Sequence, residues 1–545
     1  MFNLFLKRGL FLLLSISFVF ISLCICKFSF FKILNILINF ELNFNIYFFS
    51  YIVLLFIMFL KLIFIKYNDI LRIKRLSLLF SINLFKFFLL YYIKFNNLEN
   101  IFYYIYQFKS FGKIFDIEYS IGFDNLGFIF IFLTIFLITV CLLISWESVF
   151  YNTKRFFLLF IILEVLLIQV FCSLDLILFY ITFESILIPM YFLIGCWGAR
   201  ERRLHAAYSF FLFTLAGSLL MLVGLIFCKS TSGTTNYFEL CYYTFTPYRE
   251  LVIWLCFFFG FAVKIPMMPV HIWLPEAHVE SITAGSVVLA GVLLKLGTYG
   301  ILRFLLPLFK FSSYYFSPLV YLICLISMLY ASLTTLRQID LKKIIAYSSI
   351  IHMNYLILGL FSFNIEGLVG SLILMIAHGF VSGGLFVCVG ILYDRYHTRL
   401  LKPYGGLNYY MPFFSFFFLV FTLANISFPG SFNFLGEFMV LLGIFKQNMS
   451  LGIVTMFIMI FSTCYSVWLY NRVFSGLINK FIFRFSMENI LIKNFNFSRE
   501  AISHFTDLNL REFTSLSLLL IPTIYFGIFY DINTFNWLGF YYILV

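Results

Sequence analysis

From residue 127 to residue 470 the sequence is a succession of apolar runs separated by short polar links. Each run is about as long as a bilayer is thick. A helix needs ~20 mostly apolar residues to cross the hydrocarbon core. Such runs lie near 9–26, 46–66, 78–93, 127–145, 155–173, 176–196, 208–228, 251–274, 282–304, 316–336, 344–361, 368–392, 411–446, 451–470 and 515–530. In lipid every backbone N–H and C=O must find a partner within the protein, and a helix satisfies them locally. The expectation is an all-α polytopic membrane protein with about 14–15 transmembrane helices. Composition agrees, because 63% of residues are hydrophobic and only 11% charged. That leaves too little polar surface to cover a water-facing globule.

Charge orients the map. The net charge is +13, which in a soluble chain points to nucleic acid. Here the basic residues gather in short links on alternate sides. One side holds Lys154 and Arg155, Arg200 to Arg203, Arg337 with Lys342 and Lys343, Arg395 to Lys402, and Arg472 onward. The other holds only Lys229, Arg249, Arg303, Lys310 and Lys446. The positive-inside rule reads the first side as cytosolic, or matrix in a mitochondrion. No nucleic-acid partner is expected. Three spans before residue 120 put Lys7, Arg8 and the LRIKRL link (71–76) on that same side. The start of the chain could be a signal peptide, but no small-residue cleavage site follows its apolar run, so it reads as a retained span.

The resulting regions are an N-terminal extension at 1–120, a core at 121–474, a polar loop at 475–514, and a C-terminal helix and tail at 515–545. Phe is extreme at 80 residues, a bias that an AT-rich organellar genome would write. The 11 cysteines are scattered with no CxxC, and there is no GxGxxG or P-loop. Metal, iron–sulfur and nucleotide sites are therefore not expected here.

Two sets of spans, 155–274 and 316–470, read as five helices each. The fourth span of each is interrupted by proline: 251–274 by Pro266 and Pro269, and 411–446 by Pro429. The second reads as one broken helix, with two short spans as the alternative. Broken helices at matching places suggest inverted repeats around a transport path.

Six ionisable side chains fall at mid-depth: Glu164, Glu184, Lys264, Lys295, His378 and Glu437. A charge at the bilayer centre is costly, so such groups mark ion pathways or pair for packing. For Glu184 and Lys264 the alternatives are a proton site or a structural ion pair. Lys295 is either a proton site or a snorkelling side chain. Glu437 either exchanges protons or caps the second half-helix. Glu164 stays ambiguous. His378 is a relay or a packed histidine. Burial disfavours a charged ammonium and a nearby carboxylate favours it, so a Glu–Lys pair that separates turns Lys264 from proton holder to donor. Lys264, His271 and His278 recur every seven residues and would share a face of an unbroken helix. A relay through them is plausible, and an interfacial Glu276–His278 pair is the alternative.

The stretches FESILIPMYFLIGCWGARERRLHAAYSFFLFTLAGS (183–218) and KIPMMPVHIWLPEAHVESITAGSVVLAGVLLKLGTYGILRF (264–304) closely resemble the chain 4 family of mitochondrial NADH:ubiquinone oxidoreductase, respiratory complex I. LKKIIAYSSIIHMNYLILGL (341–360), MIAHGFVSGGLFVCVGILYDRYHTR (375–399) and FPGSFNFLGEF (428–438) resemble it too. The family is similar to complex I subunits 2 and 5 and to multi-subunit cation/proton antiporters. Glu437, where those relatives usually carry lysine, favours chain 4 over the antiporter alternative. The resemblance implies an antiporter-like fold of inverted five-helix repeats with two broken helices, and proton translocation driven by redox chemistry in other subunits. It implies that Glu184 tunes Lys264, Lys264 holds the proton, Lys295 bridges, and Glu437 ends the hydrophilic axis. His271, His278, His352 and His378 match family histidines. No cofactor is implied in this chain; NAD, FMN, iron–sulfur clusters and ubiquinone belong to partner subunits. The implied partners are membrane-arm subunits, including subunits 2 and 5, and lipid, in the mitochondrial inner membrane. The family usually has about two spans before DNLGF (124–128), so the N-terminal extension lies outside the resemblance.

Overall fold

The computed structural model describes residues 55–67, 69–95, 104–108, 119–476 and 507–529. The expected span at 9–26 and most of the 475–514 loop lie outside the described residues. Helix α1 (Leu55–Phe64) is followed by α2 (Ile70–Phe95). A short antiparallel ribbon, β1 (Tyr104–Phe108) and β2 (Tyr119–Phe123), interrupts the helical pattern and leads into α3 (Asn125–Ser148). Then come α4 (Thr153–Cys172), α5 (Leu176–Ser185), α6 (Leu187–Trp197), α7 (Arg203–Ser232), α8 (Tyr237–Tyr242), α9 (Pro247–Lys264) and α10 (Trp273–Glu280). A continuous helix, α11, spans Thr283–Leu308. After α12 (Lys310–Tyr315) follow α13 (Ser317–Arg337), α14 (Leu341–Leu360), α15 (Ile365–Tyr396), α16 (Pro412–Asn425), α17 (Phe432–Gln447), α18 (Met449–Phe474) and α19 (Leu510–Ile528).

Among the described residues, nine helical stretches are long and apolar enough to cross a membrane. The broken stretch at 411–446 behaves as one crossing. Its halves have 14 and 16 residues, or ~21 and ~24 Å, short of the ~30 Å core, so neither spans alone. The set that starts at 155 closes differently from its sequence reading. Residues 155–274 hold four apolar runs and four crossings, not five, and the fifth helix of the set is α11. With five crossings in each set, the second enters from the opposite side, which is the inverted arrangement.

Three further expectations change. LRIKRL (71–76) is the opening of α2 and not a link. There the Lys74 ammonium is buried and donates to the Trp146 carbonyl. The last helix begins at Leu510 rather than 515, because Asn509 and Glu512 form a reciprocal capping box. A third span is also interrupted. Pro189 lacks the N–H that would bond the Ser185 carbonyl, and α5 ends at that residue.

The stretch α11 is wholly buried and α15 is buried from Gly367 to Leu392, whereas α13 and α18 turn apolar faces outward, including Leu322, Ile326, Leu333, Phe457 and Ile460. Lipid supplies no hydrophobic drive between helices, so close packing at small residues holds them together. A methyl group at Gly291 of α11 would lie 2.4 Å from Leu137, and one at Gly379 of α15 would lie 3.3 Å from the Gly291 carbonyl. Gly367 and Gly370 of α15 meet Gly443 and Val440 of α17 in the same way. These contacts bring together the three elements that carry Lys295, His378 and Glu437.

A methyl group at Gly370 would sit 2.6 Å from both Met439 Cβ and the Val440 nitrogen, whereas at Gly383 it meets nothing closer than 3.6 Å. Gly370→Ala should therefore lower the assembled amount of the chain several-fold, and Gly383→Ala should leave it near normal. Quantitation on native gels reads both.

Candidate functional site

Lys264 is the last residue of α9, where the helix stops because Pro266 and Pro269 offer no N–H. The carbonyls left free are taken up locally. Met267 N–H donates to Ala262 O at 3.0 Å, and the Trp273 indole N–H donates to Val263 O at 3.0 Å. A helix C-terminus carries partial negative charge, which favours an ammonium there. Lys264 is buried, with its Nζ 4.5 Å from the centre of the Phe183 ring. The neighbouring Glu184 interacts with it electrostatically without closing to an ion pair. Glu184 lies one residue before the end of α5, and its Oε1 has no hydrogen-bond partner.

Lys295 lies on the helix packed against the end of α9. A Cβ on Gly297 would come 3.2 Å from Lys264 Cβ, so glycine is what lets the two backbones approach. Lys295 is fully buried and does not snorkel. It sits between two π-helical turns of α11, Leu289–Leu293 and Ile301–Leu305. A π turn spaces donor and acceptor five residues apart and is frequent at functional sites. Here it leaves the Ala290 carbonyl facing Lys295, whose Nζ donates to it at 2.5 Å. The same ammonium is 2.8 Å from His378 Nδ1.

The row continues. The His378 and His352 rings are 5.6 Å apart, and His352 Nδ1 is 3.0 Å from Glu437 Oε1. The last contact becomes an ion pair whenever the imidazole is protonated. Glu437 is not the cap of α17. Ser431 fills that place, its Oγ accepting from Phe434 N–H. Asn433, one turn before Glu437, is fully buried with neither amide atom hydrogen-bonded.

The structure separates the other candidates. His278 stacks on Phe386 at 4.6 Å, and neither ring nitrogen has a hydrogen-bond partner. It lies within electrostatic reach of Lys295 and Lys342. His271 meets Tyr330 of α13 edge-on, so the prolines destroy the face it was expected to share with Lys264 and His278. Glu276 does not pair with His278. It lies 3.5 Å from His205 and accepts from Ser209. With Arg200, Arg202, Glu280, Asp340 and Lys343 it borders an open charged pocket of about 400 Å³ on the positive side. Glu164 is fully buried, both oxygens lack a partner, and no hydrogen bond or ion pair links it to the row.

Lys154, Arg303, Lys342 and Arg395, expected in links, are instead buried in helices. Lys342 is 3% exposed and donates to Ser281 O at 2.7 Å. Arg303 is 2% exposed and pairs with Asp124 at 2.5 Å. A charge near the end of an apolar run reads as a loop charge, and only the helix boundary reveals it as internal. No cluster of three or more His, Cys, Asp or Glu side chains suited to a metal occurs among the described residues.

The family described as NADH:quinone oxidoreductase/Mrp antiporter, transmembrane, matches residues 173–463. The NADH-ubiquinone oxidoreductase chain 4 of Chondrus crispus is 49% identical over 445 residues, covering 82% of this chain and 86% of that one. The chain 4 of Arabidopsis thaliana is 48% identical over 414 residues, covering 76% and 80%. Among solved structures, a chain of respiratory complex I from Thermus thermophilus aligns with a TM-score of 0.74 at 27% identity, over 86% of this chain and 94% of that one. A chain of the Mrp complex from Dietzia sp. shares the fold, with a TM-score of 0.74 at 18% identity over 91% of this chain and 51% of that one. With the proline-broken helices and the buried lysines in place, these likenesses decide the assignment: the chain belongs to the NADH-ubiquinone oxidoreductase chain 4 family of antiporter-like membrane subunits.

Proposed function

We propose that this chain translocates protons across the membrane as a subunit of an NADH:ubiquinone oxidoreductase, and that Glu184, Lys264, Lys295 and Glu437 carry them, joined by His378 and His352. The observation that carries the reading is the buried row of polar side chains from Lys295 to Glu437: Lys295 Nζ is 2.8 Å from His378 Nδ1, the His378 and His352 ring centres are 5.6 Å apart, and His352 Nδ1 is 3.0 Å from Glu437 Oε1. An imidazole accepts at one ring nitrogen and donates from the other, so it passes a proton on without leaving its place. His378 accepts at Nδ1 from Lys295 when its own proton is on Nε2, then releases the Nε2 proton toward His352. The ring centres are 5.6 Å apart, and the step between the imidazoles is proposed to run through a bridging water. His352 delivers to Glu437 Oε1.

Lys264 and Lys295 stand on contacting helices. Like charges repel, so a proton arriving at Lys264 would favour its loss from Lys295 wherever the two ammonium groups approach. Glu184 sets the resting charge of Lys264. Moving that carboxylate away leaves the ammonium with only the Phe183 face and the helix end.

The reading places the redox chemistry, with NAD, FMN, iron–sulfur clusters and ubiquinone, in partner subunits. It places subunits 2 and 5 and lipid against the outward faces. It places the chain in the mitochondrial inner membrane, coded in the organelle. His278 serves as a side branch to the row, within electrostatic reach of Lys295 and Lys342, and His271 as a more remote one beside Tyr330. A cation/proton antiporter working without redox subunits is the alternative, and sodium transport by a preparation that does not oxidise NADH would favour it.

Lys264→Ala should leave assembly intact and lower proton-coupled quinone reductase activity at least about tenfold, as expected when a positioned acid–base group is removed. Reductase rate and proton uptake in sealed vesicles read this, and normal values of both contradict it. Replacing Glu184 by Leu together with Lys264 by Met removes both charges, a change that is often neutral for stability. Pumping should be lost although the complex forms; a purely structural pair predicts that it survives. His378→Ala should behave as Lys264→Ala does, because it opens the row between Lys295 and His352.

A further inference from the structure

The second π turn of α11, Ile301–Leu305, is wholly buried and carries one charged side chain, Arg303. Its Nη2 donates to Asp124 Oδ1 at 2.5 Å and its Nε donates to the Tyr299 hydroxyl at 3.2 Å. Tyr299 in turn donates to the Phe171 carbonyl at 3.1 Å. The guanidinium also lies 5.5 Å from the Tyr299 ring centre and 5.8 Å from that of Tyr237. Asp124 is a fixed post, because the same Oδ1 caps α3 by accepting from Gly127 N–H at 2.8 Å. The strand before it is held by a backbone bridge between Ile121 and Ser173.

One residue of α-helix turns the chain by about 100°. A π turn holds one residue more, so gaining or losing one rotates the two flanking stretches against each other by about that angle. Arg303 meets Asp124 with the Ile301–Leu305 turn wound as π. Lys295 lies eight residues earlier, ~12 Å along the axis at 1.5 Å per residue. Its ammonium meets His378 at this same setting, with the Leu289–Leu293 turn wound as π and the Ala290 carbonyl facing it.

We infer that Arg303 and Asp124 are positioning residues for proton transfer: the buried pair fixes the rotation of α11 and thereby holds the Lys295 ammonium against His378. Arginine suits the task because it stays charged throughout the working pH range and makes a forked, directional pair, so the anchor does not titrate with the protons it guides. The inference rests on the proton path described above.

The test separates an anchor from a pair needed only for folding. Asp124→Leu with Arg303→Met removes both charges in apolar surroundings, which tends to spare stability. Arg303→Lys keeps a cation facing Asp124. Both are studied in the whole complex in sealed vesicles, with native-gel quantitation. We expect the double variant to assemble, to lose roughly tenfold to a hundredfold in proton uptake, the scale expected for a reacting group misplaced by about 1 Å, and to show a shifted pH profile. Arg303→Lys, which keeps the cation but loses the fork, should pump better than the double variant and less than the parent. In a Lys295→Ala background the double variant should add no further loss. Normal pumping and pH profile in the double variant overturn the inference. So does an added loss in the Lys295→Ala background, and so does failure to assemble, which assigns the pair to folding. If Lys295→Ala alone pumps normally, the proton path itself fails, whatever the Arg303 variants do.

Discussion

A buried ammonium must find acceptors inside the protein, and this fold is arranged around that requirement at Lys295. The bilayer offers no water to the charge, so the chain supplies the Ala290 carbonyl at 2.5 Å and the His378 ring nitrogen at 2.8 Å. Neither would be in place in a regular helix packed at ordinary distance. The carbonyl comes from a π turn, and the imidazole comes from a helix that approaches through Gly291 and Gly379. Irregular winding, glycine contacts and the buried lengths of α11 and α15 all serve the same few polar atoms.

The same accounting explains the breaks. At Lys264 the prolines free carbonyls, and an indole and a backbone N–H satisfy two of them. Ser431 restarts the chain after the second break, which leaves Glu437 on the next turn free to face His352. Irregular backbone at membrane depth is tolerated when buried in protein or lining a wet cavity. Here each break places an ionisable group at or just beyond its own edge.

Much of this was legible in the residues. Apolar runs separated by basic links gave the crossings from 127 to 470 closely, because lipid burial leaves long unambiguous stretches. The mid-depth charges and the resemblance named Lys264, Lys295, His378 and Glu437, and three of these four fall in one row. What could not be read is what depends on helix rotation. His271 was expected beside His278, yet it meets Tyr330, because the prolines reset the turn count. Arg303 and Lys342 looked like loop charges, because a residue near the end of an apolar run gives no sign of how far the helix continues. The π turns leave no mark in periodicity, since a single extra residue in a uniformly apolar helix changes no pattern. The five-residue shift of the last helix to Leu510 follows from a capping box that polar composition concealed.

The central claim is that polar contact is continuous from Lys295 to Glu437, and the most direct measurement is a high-resolution map of the assembled complex that resolves ordered water. The account predicts a water molecule within hydrogen-bond distance of both His378 and His352, and others beside Asn433 and Glu437. A dry gap filled by apolar side chains between the two imidazoles would contradict it.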